Sequence, residues 1–280
     1  MQSMDTPIPP AAPYPRAAAN AITGVVLTND GERLIKQCLA SLAFCDEVLV
    51  VDSGSRDATM PLARELGATV LENQWQGFAN QFTFAASRVT TPWLFILDQD
   101  EICTPELGAS IRAAVNAATD AAGNSAKPPV AFSIARRSWY FDRFMKHGGW
   151  YPDHILRVFK TGHVTFSQDA HIHYHPQGPS AHIASGEIIH YPYTGFTHQL
   201  AKLNVYADQG AQALRAAGKR GGIMAGLLHG FARFMRIYVF KRGFLDGRAG
   251  FLAAAHGSFY AFLKYVRVLD ARWGEPFDHK

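Results

Sequence analysis

The feature that most constrains the fold is a repeated change of period along the N-terminal part of the chain. Short apolar runs, each closed by polar residues, alternate with stretches whose apolar residues recur at helical spacing. Ile22 to Thr28 is the first run, ending in Asn29-Asp30-Gly31; Glu32 to Ala43 then places Leu34, Ile35, Cys38, Leu39 and Leu42 on one helical face. Glu47 to Val51 is the second, followed by Asp52, the turn Ser53-Gly54-Ser55, and a helix that Asp57 caps and Gly67 closes after Leu66. Thr69 to Leu71 makes a third strand and Phe78 to Arg88 a helix. Trp93 to Leu97 is a fourth strand running into Asp98-Gln99-Asp100-Glu101, after which Thr104-Pro105 opens another helix. Strands that are apolar throughout are buried on both faces, so the pattern predicts an α/β fold with a mostly parallel, Rossmann-like sheet covered by helices. The polar residues at the strand ends, Thr28 and Asn29, Asp52, then Asp98 and Asp100, would converge on one rim, where such sheets bind ligands.

Ala117 to Pro129 reads as a surface loop, and Val130 to Ala135, Ile155 to Phe159 and Val164 to Phe166 as strands joined by long loops. From about Thr197 to Arg272 the pattern is helical. With 280 residues, 48% hydrophobic and 18% charged, the chain can bury a full core, and one catalytic domain over residues 21–200 with a helical region over 201–280 is expected. Residues 1–20, with Pro7, Pro9, Pro10, Pro13 and Pro15, have neither a basic nor an apolar leader segment and are expected to form a disordered tail. Cys38, Cys45 and Cys103 lack the paired spacing of a zinc site and fit small core residues in a reducing compartment.

Charge is unevenly spread. Arg220 to Arg272 holds nine Lys or Arg against Asp246 and Asp270, a net +7, so the rest of the +4 chain carries −3. The longest uncharged C-terminal run, Ala249 to Leu263, is shorter than the ~20 residues of a spanning helix, so no crossing of a membrane is expected. Phe231 to Arg242 is basic and aromatic at helical spacing, which suits a helix in an anionic membrane surface better than nucleic acid; a packed helix with a snorkelling basic edge is the plainer alternative.

The strongest chemical signal is Leu94 to Glu101, where an interior strand delivers Asp98 and Asp100, with Glu101 beside them, to its own C-terminal end. Carboxylates so close repel one another unless a cation sits between them, and oxygen ligands select magnesium or manganese, completed by phosphate oxygens and water. Asp52-Ser53-Gly54-Ser55 offers a carboxylate and free amides at a helix start, suited to a nucleotide. Thr28-Asn29-Asp30-Gly31 lacks the G-x-G-x-x-G of a dinucleotide site, which argues against an NAD-linked dehydrogenase.

Taken together, Thr28 to Arg33, Val50 to Ser55 with Asp57-Ala58-Thr59, Trp75-Gln76-Gly77-Phe78 and Leu97 to Glu101 resemble the family 2 glycosyltransferases of the GT-A fold. Downstream, His147-Gly148-Gly149-Trp150-Tyr151-Pro152-Asp153 with Arg157-Val158-Phe159, and Lys241 to Gly247, resemble the branch of lipopolysaccharide core β-glucosyltransferases. The resemblance implies an inverting transfer of a hexose such as glucose from a nucleotide diphosphate, a UDP-sugar above all, to a lipid-linked or lipopolysaccharide core glycan. The enzyme would sit on the cytoplasmic face of a membrane. It implies nucleotide contacts from Thr28, Asn29, Glu32, Asp52, Ser53, Gly54, Gln81, Asp98 and Gln99, and a magnesium or manganese ion on Asp98 and Asp100, with His171 as a further ligand.

Two departures stand out: His171-Ile172 where the branch has His-Glu, and Phe82-Thr83 after Gln81 where relatives carry Lys-Asn. The general base of an inverting transfer is therefore sought among Asp153, Glu101 and Asp169, with Asp153 first because its loop is able to fold over the donor. As a plain structural residue Asp153 would be a turn former or the partner of Arg157 four positions on. His173 and His175 share a face with His171 but fit loop polarity better than zinc. His190 matches a branch motif or serves as a hydrogen-bonded structural histidine, and Trp139, Trp150 and Tyr151 offer rings for a sugar face or for the core. Two other functions remain open from sequence: a sugar-nucleotide pyrophosphorylase, for which the first turn lacks the basic Gly-rich loop, and a membrane-associated sugar-binding or scaffold protein that has lost its base.

Overall fold

The computed structural model describes residues 18–121, 127–168 and 172–272. Its centre is β1 (Ile22–Thr28), buried along its whole length. β1 pairs in parallel with β2 (Glu47–Asp52) on one side, with β3 (Thr69–Glu72) beyond it, and with β4 (Trp93–Asp98) on the other. Alternate residues of a strand face opposite ways. Ile22 and Val26 accordingly pack with α1 (Ile35–Ala40), α2 (Thr59–Glu65) and the later α4 (Pro105–Ala121), while Val25 and Leu27 pack with α3 (Phe78–Arg88). α1 is shorter than its apolar pattern because the Glu32 N–H is drawn to Asp57 Oδ2 at 3.0 Å and the Ser41 hydroxyl to the Cys38 carbonyl at 2.6 Å. The Asp57 carboxylate also takes the Thr59 N–H at 2.9 Å, and Gly67, at φ +80°, ends the helix as its position predicts.

The chain leaves β1 for β2 and β3 on one side and returns to β4 on the other, so the strand order reverses between β1 and β4. Crevices at such a reversal, outside the carboxyl ends of the strands, are where open α/β sheets hold ligands. Beyond β4 the sheet continues with β8 (Asp153–Lys160), β6 (Ala131–Tyr140), β11 (Ser180–His190) and β5 (Glu101–Cys103) in that order, with β7 (Arg143–Phe144) hairpinned onto β6. A separate hairpin of β9 (Val164–Gln168) and β10 (Ile172–Pro176) packs Phe166 and Tyr174 against Phe82 of α3. β11 is not legible in sequence. Its register breaks between Ile183 and Ile188, and Gly186 sits in the gap at φ +81°, where a Cβ would lie 2.2 Å from the Leu107 nitrogen at the start of α4. Close approach of a helix to the strand demands glycine there and erases the strand-like composition. The expected Ala117 to Pro129 loop is helical as far as Ala121.

α5 (Phe196–Ala216) runs through the expected boundary at residue 200. α6 (Ile223–Met235) continues as a π-helical turn to Phe240 and is followed by α7 (Gly247–Val266). α6 lies close on α7 because Gly226 and Gly230 lack a Cβ; one built there would meet backbone oxygens of Phe262 and Ser258 at 2.9 and 3.1 Å. Among the described residues one helical stretch, Ile223–Phe240, with mean hydropathy 1.2, is long and apolar enough to cross a membrane, and only 17% of it is buried. A buried acid, Asp246, is one of the points that hold the C-terminal helices to the sheet. Asp246 accepts the N–H groups of Lys146 and His147 at 3.1 and 2.7 Å, lies 3.1 Å from His147 Nδ1, and Gly148 N–H reaches the Lys241 carbonyl at 2.8 Å. The two downstream motifs of the sequence are thus one clasp.

Candidate active site

Strand register assembles the site. β1 places Leu27 opposite Asp98 and Thr28 opposite Asp52, so three strand ends meet at one rim. β8 runs against β4 with Val158 opposite Phe95, which carries Arg157 toward the carboxyl end of β4. Register between β6 and β8 sets Arg136 against Asp153, and β11 sets His190 against both Ser138 and Glu101. The result is a chain of ion pairs. Arg157 Nη2 lies 2.6 Å from Asp98 Oδ2 and 3.0 Å from both oxygens of Glu101; Arg136 Nη1 reaches Glu101 at 3.0 Å and its Nη2 reaches Asp153 Oδ2 at 2.7 Å.

Glu101 takes a different part from the expected base. It is 0% exposed, and although burial opposes its charge, the nearby cationic groups, Arg157 above all, hold its carboxyl well below the usual range. With both oxygens in ion pairs and no path to solvent, it positions the arginines and cannot receive a hydroxyl proton. Asp153 and Arg157 are not partners, because four residues along a strand span about 13 Å, whereas the cross-strand neighbour Arg136 is in contact. Asp153 Oδ2 is held by Arg136, and Oδ1 carries no hydrogen bond among the described residues.

Asp100 is the exception in the cluster. Burial, with the charges of Asp98 and Glu101 beside it, pushes its carboxyl up to about 7, and its nearest ring, His190 Nε2 at 3.7 Å, is itself pushed down to about 4 by burial. Four carboxylates, Asp98, Asp100, Glu101 and Asp153, face two guanidinium groups in ion-pair contact, Arg136 and Arg157. With Lys202 on the same wall acting on Asp100, the cluster keeps an excess of one negative charge, and its oxygen donors suit a divalent hard cation. Among the described residues no three His, Cys, Asp or Glu form a metal set, so an ion on Asp98 and Asp100 would need further ligands, which phosphate oxygens and water can supply. His171 and Asp169 lie outside the described residues. His173 and His175 point outward from β10 with ring centroids 6.3 Å apart.

A cavity of about 700 Å³ opens on this rim, lined by Thr28, Asn29, Ser53, Asp98, Gln99 and Asp100 together with Trp75, Phe78, Arg136, His190, Lys202 and Tyr206. Five of the nine expected nucleotide contacts are therefore on its wall. Glu32, Asp52, Gly54 and Gln81 are not. Asp52 is enclosed beneath it: Oδ1 accepts the Gly54 and Ser55 N–H groups at 2.8 Å, and Oδ2 accepts the Thr28 and Ser55 hydroxyls at 2.8 and 2.5 Å. Burial works to raise its carboxyl, and these bonds more than offset it, leaving it below the usual range. Asp52 thus shapes the turn that presents Ser53. Gln81, also buried, braces the same turn by donating to Ser53 Oγ at 2.8 Å and to the Asn73 carbonyl at 2.9 Å, and Glu32 accepts the Ala58 N–H at 3.0 Å. The Gln99 amide exchanges two hydrogen bonds with the Asn29 backbone, at 2.9 and 3.0 Å, across Gly31, where a Cβ would collide with it.

Phe82 fills the core at the first of the two departing positions, and Thr83 is exposed. Trp139 packs on Phe144 at 5.0 Å and Trp150 on Tyr140 at 5.1 Å. Sequence reasoning missed Arg136, Lys202 and Tyr206. Arg136-Arg137 in the middle of an apolar strand was a usable signal; Lys202 and Tyr206 on α5 carried none. Lys202 donates to the Pro192 carbonyl at 3.0 Å, and its charge acts on Asp100.

A sheet with this reversal, acids at the end of β4 and a turn after β2 that Asp52 fastens define a GT-A α/β fold with a helical C-terminal region. The glycosyl transferase family 2 model matches residues 24–170, and the chain belongs to that family and is a glycosyltransferase. It is 26% identical over 260 residues to the lipopolysaccharide core biosynthesis glycosyltransferase LpsC of Rhizobium meliloti (strain 1021), covering 88% of this chain and 91% of the relative. An uncharacterized glycosyltransferase of Rickettsia felis is 23% identical over 261 residues, 88% of each chain. Among solved structures, S. aureus TarS 1-349 superposes with a TM-score of 0.43 at 12% identity, over 91% of this chain and 93% of that one. Glucosyl-3-phosphoglycerate synthase from Mycobacterium tuberculosis, in complex with Mn²⁺, UDP and its product, gives 0.33 at 19% identity, over 43% and 44%.

Proposed function

We propose that the chain is an inverting transferase that takes a hexosyl group from a UDP-sugar at the 700 Å³ cavity and delivers it to a lipid-linked glycan of the lipopolysaccharide core type. The carrying observation is geometric: Asp98 at the tip of β4 and Asp100 just beyond it stand on one wall of that cavity together with Thr28, Asn29 and Ser53. Asp98 and Asp100 would hold a magnesium or manganese ion, which would supply charge neutralisation to a departing diphosphate. Thr28, Asn29 and Ser53 meet the nucleoside, and Trp75 and Phe78, edge to face at 4.7 Å and exposed, close over it. Asp153 accepts the acceptor's hydroxyl proton on Oδ1 while Arg136 fixes Oδ2. Relationship to LpsC supports the acceptor class.

The membrane seat is the outer face of α6, where Ile223, Met224, Leu227, Leu228 and Phe231 are all more than half exposed at helical spacing. Leu228→Asp with Phe231→Asp releases the protein from vesicles in co-sedimentation; undiminished binding refutes the seat. For the donor, a thermal-shift panel of nucleotide sugars with and without manganese raises the apparent Tm only for UDP-sugars with metal, and Asp100→Asn removes that rise. A metal-independent shift retained in Asp100→Asn overturns the assignment.

A further inference from the structure

Behind Arg136 lies a second cavity of about 450 Å³, which shares Arg136, His190, Pro192 and Tyr193 with the first and has Asp153 and Trp150 on its wall. We propose that it is the acceptor site and that it is built for an anionic sugar, one bearing a phosphate or carboxylate. The proposal rests on reading the first cavity as the donor site, since the shared wall is what places the two substrates on either side of Asp153.

The charge of the wall selects the ligand. Arg233, Arg236 and Lys241 line the cavity, and among the described residues none of them has a carboxylate within ion-pair distance. Asp153, a carboxylate of the same wall, is already taken by Arg136 at 2.7 Å. Burial holds His256 below the ordinary histidine value, so its ring adds no charge to the wall. Three cations with no internal partner thus face a concave space of ordinary ligand size. The remaining lining is small by necessity. A Cβ on Gly149 would lie 2.4 Å from Lys241 Nζ, and one on Gly257 would lie 2.7 Å from Ile237 Cδ1 and 3.7 Å from Arg233 Nε. Glycine at both positions leaves room for the cationic side chains to lie along the wall.

A membrane surface is the other consumer of such charges, and helix geometry separates the two. At about 100° per residue, Arg233 and Arg236 fall on the opposite side of the helix from Ile223, Leu227 and Phe231. The apolar face that meets lipid therefore points away from the cavity the arginines line. Guanidinium and ammonium groups gathered at a cavity recognise phosphate and carboxylate by charge-assisted hydrogen bonds.

Full-length protein in EDTA, which disables metal-dependent binding in the first cavity, is titrated with glucose 6-phosphate and with glucose while the apparent Tm is read. Glucose 6-phosphate raises it and glucose does not. Arg233→Gln with Arg236→Gln and Lys241→Gln weakens the sugar phosphate at least about tenfold, and the single Arg236→Gln gives an intermediate loss, while both variants keep the wild-type shift with UDP and manganese. No shift with glucose 6-phosphate, or equal shifts in wild type and triple variant, overturns the proposal. So does loss of phosphatidylglycerol vesicle binding in the triple variant without any sugar phosphate effect in wild type, which assigns the cations to lipid headgroups. A glucose 6-phosphate shift in a wild-type protein that ignores UDP and manganese supports the anion site and removes the donor assignment instead.

Discussion

The cavity at the end of β4 and the cavity beneath α6 share Arg136, His190, Pro192 and Tyr193, yet they differ in charge and in construction. The first is walled largely by the ends of strands whose register fixes each side chain, and its acids Asp98 and Asp100 are matched by Arg136 and Lys202. The second is walled by helix side chains and by glycines of a loop, and it has cations to spare. Between them runs the ion-pair chain from Asp98 through Arg157, Glu101 and Arg136 to Asp153. The contrast teaches that the rim of a parallel sheet supplies fixed acids for a metal-borne donor. The C-terminal helices add basic side chains and an exposed apolar face that the sheet lacks.

The comparison breaks first at the acids. Asp100→Asn is expected to lower transfer by on the order of 10⁴-fold, the several kcal/mol a metal contributes to a developing charge. Asp153→Asn is expected to lose about 10²–10⁴-fold in kcat with donor affinity unchanged, as removal of a general base does. Steady-state kinetics decide both, and an active Asp100→Asn or a raised donor Kd in Asp153→Asn sinks the division of labour.

The partition itself is tested by Arg157→Leu, which leaves Glu101 buried without its main counter-charge. A stability loss of about 3–5 kcal/mol is expected in urea unfolding at neutral pH. A loss below about 1 kcal/mol would mean that the network is ornamental.

The smallest expected effect is on acid stability. His190 is pushed down to about 4 from an ordinary 6.5, so between those values the unfolded chain binds the extra proton and stability falls as pH drops, by up to about 3 kcal/mol. In metal-free protein His190→Asn should flatten this arm of the urea midpoint against pH. An unchanged slope would place the titration elsewhere.

Much of the donor side was legible because its signals are local. A buried parallel strand must be apolar throughout, so Trp93 to Leu97 announced itself, and the acids that follow it could only stand at its tip. What sequence does not disclose is the surroundings of each polar residue: the Asp52 carboxylate bonds its own turn, and Glu101 lies between two arginines. The acceptor side was barely legible: Arg233 and Lys241 read as lipid-facing because nothing near them in the chain discloses the cavity at Gly149.

Taken alone, the sequence determined the strands, their order of appearance, the acids at their ends and the amphipathic C-terminal helices, since hydrophobic period and turn chemistry depend on near neighbours. Tertiary structure decided which carboxylates are paired with arginines and where the basic helix points its charge. Those depend on register between strands and on contacts such as Lys146 to Asp246, a hundred residues apart, and an ion's burial and partners are set by whatever the fold brings within a few ångströms.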